Sequence, residues 1–187
     1  MGSEILQKVG TQISFADHAG DFAAAAKTSL EQGTPTDVQL SLASVADGAG
    51  RESAKVDLGA TRAARYNVMA AFEFAATPTS GDLVELYWAP SPNATAANGN
   101  PMQIDGADAA APSGIGTLAE LVKVCQFIGV FNCTDDATAN VQVAQVGVFA
   151  PLERYGSLIV KNESGAAFHS DDVECHIVFD PIVDESQ

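Results

Sequence analysis

The chain has 187 residues and a mass of 19.3 kDa, the size of one domain with room for a self-sufficient core. Twenty-four acidic residues face nine basic ones, a formal net charge of -15, although only 18% of the residues are charged. The scarcity of Lys and Arg excludes the basic stripe of a nucleic-acid binder and the polybasic surface of an anionic-membrane binder. A hydrophobic fraction of 47% with nine Phe excludes a disordered chain.

No stretch approaches the length of a membrane-spanning apolar segment. The opening residues, Met1 to Lys8, lack a basic region followed by an apolar run, so no secretory leader is expected. Three cysteines, Cys125, Cys133 and Cys175, are an odd number lying in apolar runs, which predicts reduced, buried thiols rather than a disulfide framework.

Residues 1–35 read as an irregular N-terminal arm, with a short strand at Thr11–Phe15 and a turn or two of helix within Asp21–Gly33. From residue 36 to 187 the period becomes two. Alternating apolar residues predict strands around Val38–Leu42, Lys55–Leu58, Tyr66–Phe74 and Leu83–Ala89, the last two joined by Thr77–Asp82 as an antiparallel hairpin. Residues 90–116 hold four Pro with little periodicity and read as a long loop, an arm able to reach a neighbour. Thr117-Leu118-Ala119-Glu120 has the form of a capping box, but the Val, Ile and Phe that follow favour a strand to Thr134, entered by one helical turn. Further strands are predicted at Val141–Phe149, Tyr155–Lys161 and Val173–Phe179. The first of these is apolar on both faces, implying cover from the opposite sheet and from another subunit. The pattern predicts an all-β fold, a two-sheet antiparallel β-sandwich of jelly-roll-like size.

Catalytic signatures are weak. There is no Gly-x-Ser-x-Gly elbow, and His18, His169 and His176 are too scattered to define a triad. Cys175 and His176 are adjacent and point to opposite faces of a strand, so they cannot share a zinc ion. Asp105, Asp108, Asp135, Asp136, Asp171 and Asp172 are loop carboxylates of the kind that hold calcium, but turn formation explains them as well, and no metal or other cofactor is assigned. Tyr66, Tyr87 and Trp88 are the candidates for a glycan-binding face, with a core position the stronger reading for Trp88.

Charge is distributed unevenly. Arg51, Lys55, Arg62 and Arg65 place four of the nine cations within 15 residues, whereas residues 171–187 carry six acids and no Lys or Arg. These bunched guanidinium and ammonium groups either pair with the chain's own acids or meet carboxylates of a partner, among them Asp184 and Glu185 of a second copy.

Four strings are distinctive together: Asp57-Leu58-Gly59-Ala60-Thr61-Arg62-Ala63-Ala64-Arg65-Tyr66; Val84 to Pro92; Arg154-Tyr155-Gly156-Ser157-Leu158-Ile159-Val160-Lys161-Asn162; and the ending Pro181 to Glu185. Across roughly residues 48–187 they resemble a family of tailed-bacteriophage virion structural proteins. The resemblance implies a small β-sandwich that decorates or cements a capsid, with no enzymatic activity. Its partners would be the major capsid protein or other virion proteins, and it would form a homo-oligomer, a dimer or trimer. It would be made in the host bacterial cytoplasm and reside on the capsid surface, with no direct contact to nucleic acid or membrane. The alternative is a tail or head-fibre adsorption module that binds host glycan through Tyr66, Tyr87 and Trp88.

Overall fold

The computed structural model describes residues 5–60, 62–136 and 140–186, with residues 5–9 and 184–186 described by their backbone alone. Two sheets pack face to face as an all-β sandwich. The first is built from β10 (Gln142–Phe149), β6 (Arg65–Phe72), β12 (His176–Ser186), β2 (Ile13–Ala16) and β3 (Thr36–Gln39) in that order, with β1 (Ile5–Val9) pairing the far half of β12. The second runs β8 (Ala109–Ala110), β4 (Gly50–Glu52), β11 (Tyr155–Glu163), β7 (Leu83–Ser91) and β9 (Gln126–Asn132), with β5 (Val56–Asp57) beside the start of β11. All pairings are antiparallel except that of β2 with β3, which is parallel.

Period-two alternation decides which residues meet in the middle. Val68, Ala70 and Phe72 of β6, Ile177 and Phe179 of β12, and Val84, Leu86 and Trp88 of β7 all turn inward and are buried. Phe179 is the centre of the aromatic core, with ring centroids 4.8 Å from Phe15, 5.5 Å from Phe149, 5.9 Å from Tyr66 and 6.2 Å from Trp88. A second group, Phe72, Phe131, Phe74 and Phe168, fills the other end at spacings of 4.9–5.4 Å. Offset and edge-on rings of this kind add about 0.5–1.5 kcal/mol per pair beyond their area.

The expected hairpin of Tyr66–Phe74 with Leu83–Ala89 does not form, because β6 and β7 lie in opposite sheets. Both strands are apolar on one face, and burying those faces against each other fills the core better than setting the strands edge to edge. The connection of residues 73–82 is long enough to cross the roughly 10 Å between packed sheets. On one side the sheets close on each other. β9 and β10, an edge strand from each sheet, approach so tightly that a Cβ on Gly129 would lie 2.6 Å from the carbonyl oxygen of Val146, where the register of β10 is bulged.

The helix expected within residues 21–33 is replaced by successive turns, with Ala26 N–H donating to Ala23 and Ser29 N–H to Ala26. Tertiary contacts override helix propensity here. Phe22 lodges against His18 (5.2 Å) and His176 (5.0 Å), and the amide of Leu30 donates to His176 Nε2 at 2.8 Å, so the segment lies flat over the outer face of the first sheet. β2 itself is fully buried and sits between β12 and β3, so the extra strand expected within residues 1–35 is internal to the sheet. Farther on, a true capping box forms. Thr117 N–H donates to Glu120 Oε2 (2.9 Å) and Glu120 N–H to Thr117 Oγ1 (3.3 Å), starting α1 (Leu118–Val124). The helix therefore runs through Val122–Val124, and the strand begins only at Gln126.

His176 supplies a pH prediction. Its Nδ1–H faces the carbonyl of Glu174 (2.8 Å) while Nε2 accepts from Leu30, so the ring must be neutral, and burial holds it below its ordinary value. Opening this region lets the ring take up a proton, so its local stability is lost as pH falls below about 6.5. The opening constant of the Leu30 amide, read by hydrogen exchange, is expected to rise as pH falls below that point. His176→Gln should flatten the dependence.

Candidate functional site

The four clustered cations are divided by the fold. Arg51 on β4 directs Nε to Asp108 Oδ1 at 2.6 Å, both side chains being largely shielded, and this hydrogen bond holds the guanidinium above its ordinary range. Lys55, between β4 and β5, turns its ammonium into the start of the 90–116 segment. It donates to Ser91 Oγ (3.0 Å) and to the carbonyls of Asn93 (3.1 Å), Thr95 (2.8 Å) and Asn98 (2.8 Å). These two expected interface residues are thus used within the chain, as a surplus of internal acceptors dictates. Arg62 is exposed on the rim of a groove of about 370 Å³ that Tyr66 and Pro181 also line. Arg65 stands opposite Ile182 across β6 and β12. Asp184 and Glu185 lie in the same β12 strand opposite Gln7 and Leu6, and their side chains fall outside the described residues.

The 90–116 segment is correspondingly folded back rather than extended as a free arm. Pro101–Gln103 forms a short 3₁₀ turn, Ala109–Ala110 pairs with β4, and Ile104, Leu121, Ala89 and Ile159 form a small apolar cluster on the outer face of the second sheet. Glu52, wholly buried beneath it, accepts from the Ser113 hydroxyl and amide, and burial raises its pKa. Replacing Lys55 with Met leaves the Asn93, Thr95 and Asn98 carbonyls without their donor. A loss of about 1–2 kcal/mol is expected, with limited proteolysis cutting first within residues 92–100.

The aromatic triad does not present a platform. Trp88 is 0% exposed and Tyr66 2%, both in the core. Tyr87 alone faces outward, where its hydroxyl donates to Glu85 Oε2 (3.0 Å), its ring meets Phe127 edge-on (5.4 Å), and burial pushes its phenol up to about 12. A stacked sugar needs an open ring face, and alternation along β7 puts Trp88 and Tyr87 on opposite sides of the sheet.

The loop carboxylates also do not converge on one calcium site. Asp108 is held by Arg51, Asp136 accepts from Thr134 Oγ1 (2.7 Å), and Asp171 closes a turn onto Val173 N–H (3.3 Å). Asp172 is buried and accepts from the amides of Leu42 (2.7 Å) and Ala43 (3.1 Å) and from Ser41 Oγ (3.0 Å). All three cysteines are free, and burial pushes Cys125 and Cys175 up to about 12 and Cys133 to about 11, leaving them as unreactive thiols.

What the surface does offer is apolar. Around the seam where β9 meets β10, Val124 (54% exposed), Phe127 (54%), Val148 (55%) and Leu152 (69%) stand out in the solvent. The Gln126 side chain ties this rim together, donating to the Ala150 carbonyl and accepting from the Leu152 amide. Strict alternation along Val141–Phe149 would set Val143 with Phe149 and Val146 with Val148, but the bulge between Gln145 and Gly147 re-sorts them, turning Phe149 into the core and packing Val146 partly against it. Val143 and Val148 point outward from the first sheet, and no part of the described chain covers Val148. The remaining members escaped the sequence reading because Phe127 sits in a strand whose other large residues, Ile128 and Phe131, turn inward.

The fold thus defines the chain as a two-sheet β-sandwich. Among the described residues, no helix is long and apolar enough to cross a membrane. Compared with protein-family models, curated sequences and solved structures, the chain has no match.

Proposed function

We propose that this chain is a virion structural protein of a tailed bacteriophage, a decoration or cement protein on the outer surface of the head. The observation that carries the reading is the exposed apolar rim of Val124, Phe127, Val148 and Leu152 on a molecule that otherwise carries a large negative charge. Large apolar side chains left exposed together along one seam mark an interface. The resemblance of the four sequence strings to phage virion proteins supplies the kind of partner, the major capsid protein or another copy of this chain. In this role the protein binds rather than catalyses. Each copy contributes modest contact energy, and many copies sharing a lattice tie neighbouring capsid subunits together.

The test is binding of the purified protein to heads assembled without it. Saturable binding to heads and not to tails is expected, together with a higher temperature for DNA release. A Phe127→Glu, Val148→Glu double variant, folded as judged by circular dichroism, should bind at least tenfold more weakly. Binding to tails alone, or undiminished binding of the double variant, would overturn the reading.

A further inference from the structure

The N-terminal cover of the first sheet brings together three groups that are distant in sequence. His18 follows β2, Asp37 lies in the neighbouring parallel strand β3, and Glu31 comes from the turns laid across them. One ligand atom from each, an imidazole nitrogen and two carboxylate oxygens, lies within 4.8 Å of the others. The ring of His18 is already oriented, since its Nε2 sits 3.1 Å from the carbonyl of Ser14. A carbonyl can only accept, so Nε2 carries a proton and Nδ1 is the ring atom left to face Asp37 Oδ1, 3.8 Å away. Glu31 Oε1 is buried and has no hydrogen-bond partner. An imidazole nitrogen and two carboxylates thus share one small volume, a ligand set that a bound cation would satisfy.

We infer that His18, Glu31 and Asp37 form a binding site for a divalent transition-metal ion of the zinc type. One imidazole and two carboxylates suit a borderline ion, and three protein ligands leave a position for water. The Ser14 carbonyl fills the role that an outer partner takes at histidine metal sites, fixing the tautomer and the plane of the ring. Ligand atoms about 2.0–2.2 Å from zinc stand about 3.5 Å apart, so closure of the site needs only a small rotation of the side chains. Access is open from one side, because the Asp37 side chain is 60% exposed while that of His18 is 16% exposed. A bound ion joins β2, β3 and the turn segment in one place, holding the cover onto the sheet, and this is independent of what the β9/β10 rim binds.

Isothermal titration of the chelator-treated protein with zinc chloride, followed by thermal melts with and without zinc, tests the assignment. One equivalent is expected to bind with micromolar or tighter affinity and to raise the melting midpoint. His18→Ala should weaken binding at least tenfold. Glu31→Gln and Asp37→Asn, which keep the shape of each side chain, should do the same while the metal-free melting midpoint moves little. Absence of saturable binding, or equal affinity in all three variants, would overturn the site. Calcium displacing zinc at equal concentration would overturn the assignment to a transition metal.

Discussion

Trp88→Ala is expected to cost about 3–5 kcal/mol of stability, the largest effect of any single truncation in this chain. The indole is wholly buried where the two sheets press together, 5.7 Å from the ring of Phe149 and 6.2 Å from that of Phe179. Its back rests on Gly156 of β11, where a Cβ would overlap the indole and strike the carbonyl oxygen of Ala89 at 2.7 Å. No neighbour can collapse into the space, because that face is backbone. The indole N–H has no hydrogen-bond partner, so Trp88→Phe removes ring volume without orphaning an acceptor and should cost well under half as much. Chemical denaturation of the two variants checks the difference. It also bears on glycan binding: any loss of binding in Trp88→Ala would follow from a damaged core.

The second large effect is expected at Asp172. Its carboxylate terminates three donors from residues 41–43, a stretch that leaves β3 without a strand partner of its own. Asp172→Ala strands the Leu42 amide in the core and should cost about 2–4 kcal/mol, the loss of charge-assisted bonds being partly offset by no longer burying a carboxylate. Burial already raises the pKa of this group, which is the mark of that penalty. Asp172→Asn retains one acceptor oxygen. Its new N–H₂ must occupy the place of Oδ1, which has no partner in the structure, so an intermediate cost of about 1–2 kcal/mol is expected. Equilibrium unfolding in urea at constant pH orders the three proteins. Either variant matching or exceeding the stability of the parent would show that relief of the buried charge, rather than loss of the bonds, dominates.

Much of the fold is legible in the sequence where a signal is local. Strand after strand reads correctly from alternation, and the capping box at Thr117 and Glu120 marks the start of α1 to the residue. Apart from Val122–Val124, where the locally capped helix outlasts the strand propensity of its residues, the main misreadings depend on partners far along the chain. Asp21–Gly33 has the composition of a helix, but the contacts of Phe22 and Leu30 with His176 flatten it. The 90–116 segment lacks periodicity because it is held mostly by side chains, Lys55 and Glu52, with a ladder of only two residues at Ala109–Ala110. The same limit explains the functional residues. Arg51 and Lys55 stand out in composition and prove to be internal, whereas His18, Glu31 and Asp37 are unremarkable in sequence and meet only when β2 and β3 pair. Exposure along an edge strand is equally invisible, since Phe127 and Phe131 differ only in the side of the sheet they occupy.

The most direct test of the proposed role is a cryo-EM reconstruction of the phage particle that carries this protein. The sandwich is expected at symmetry-related positions on the outside of the head, with Phe127 and Val148 facing a neighbouring capsid protein or a second copy. Density confined to the tail, or a head-bound sandwich with that rim turned to solvent, would contradict it.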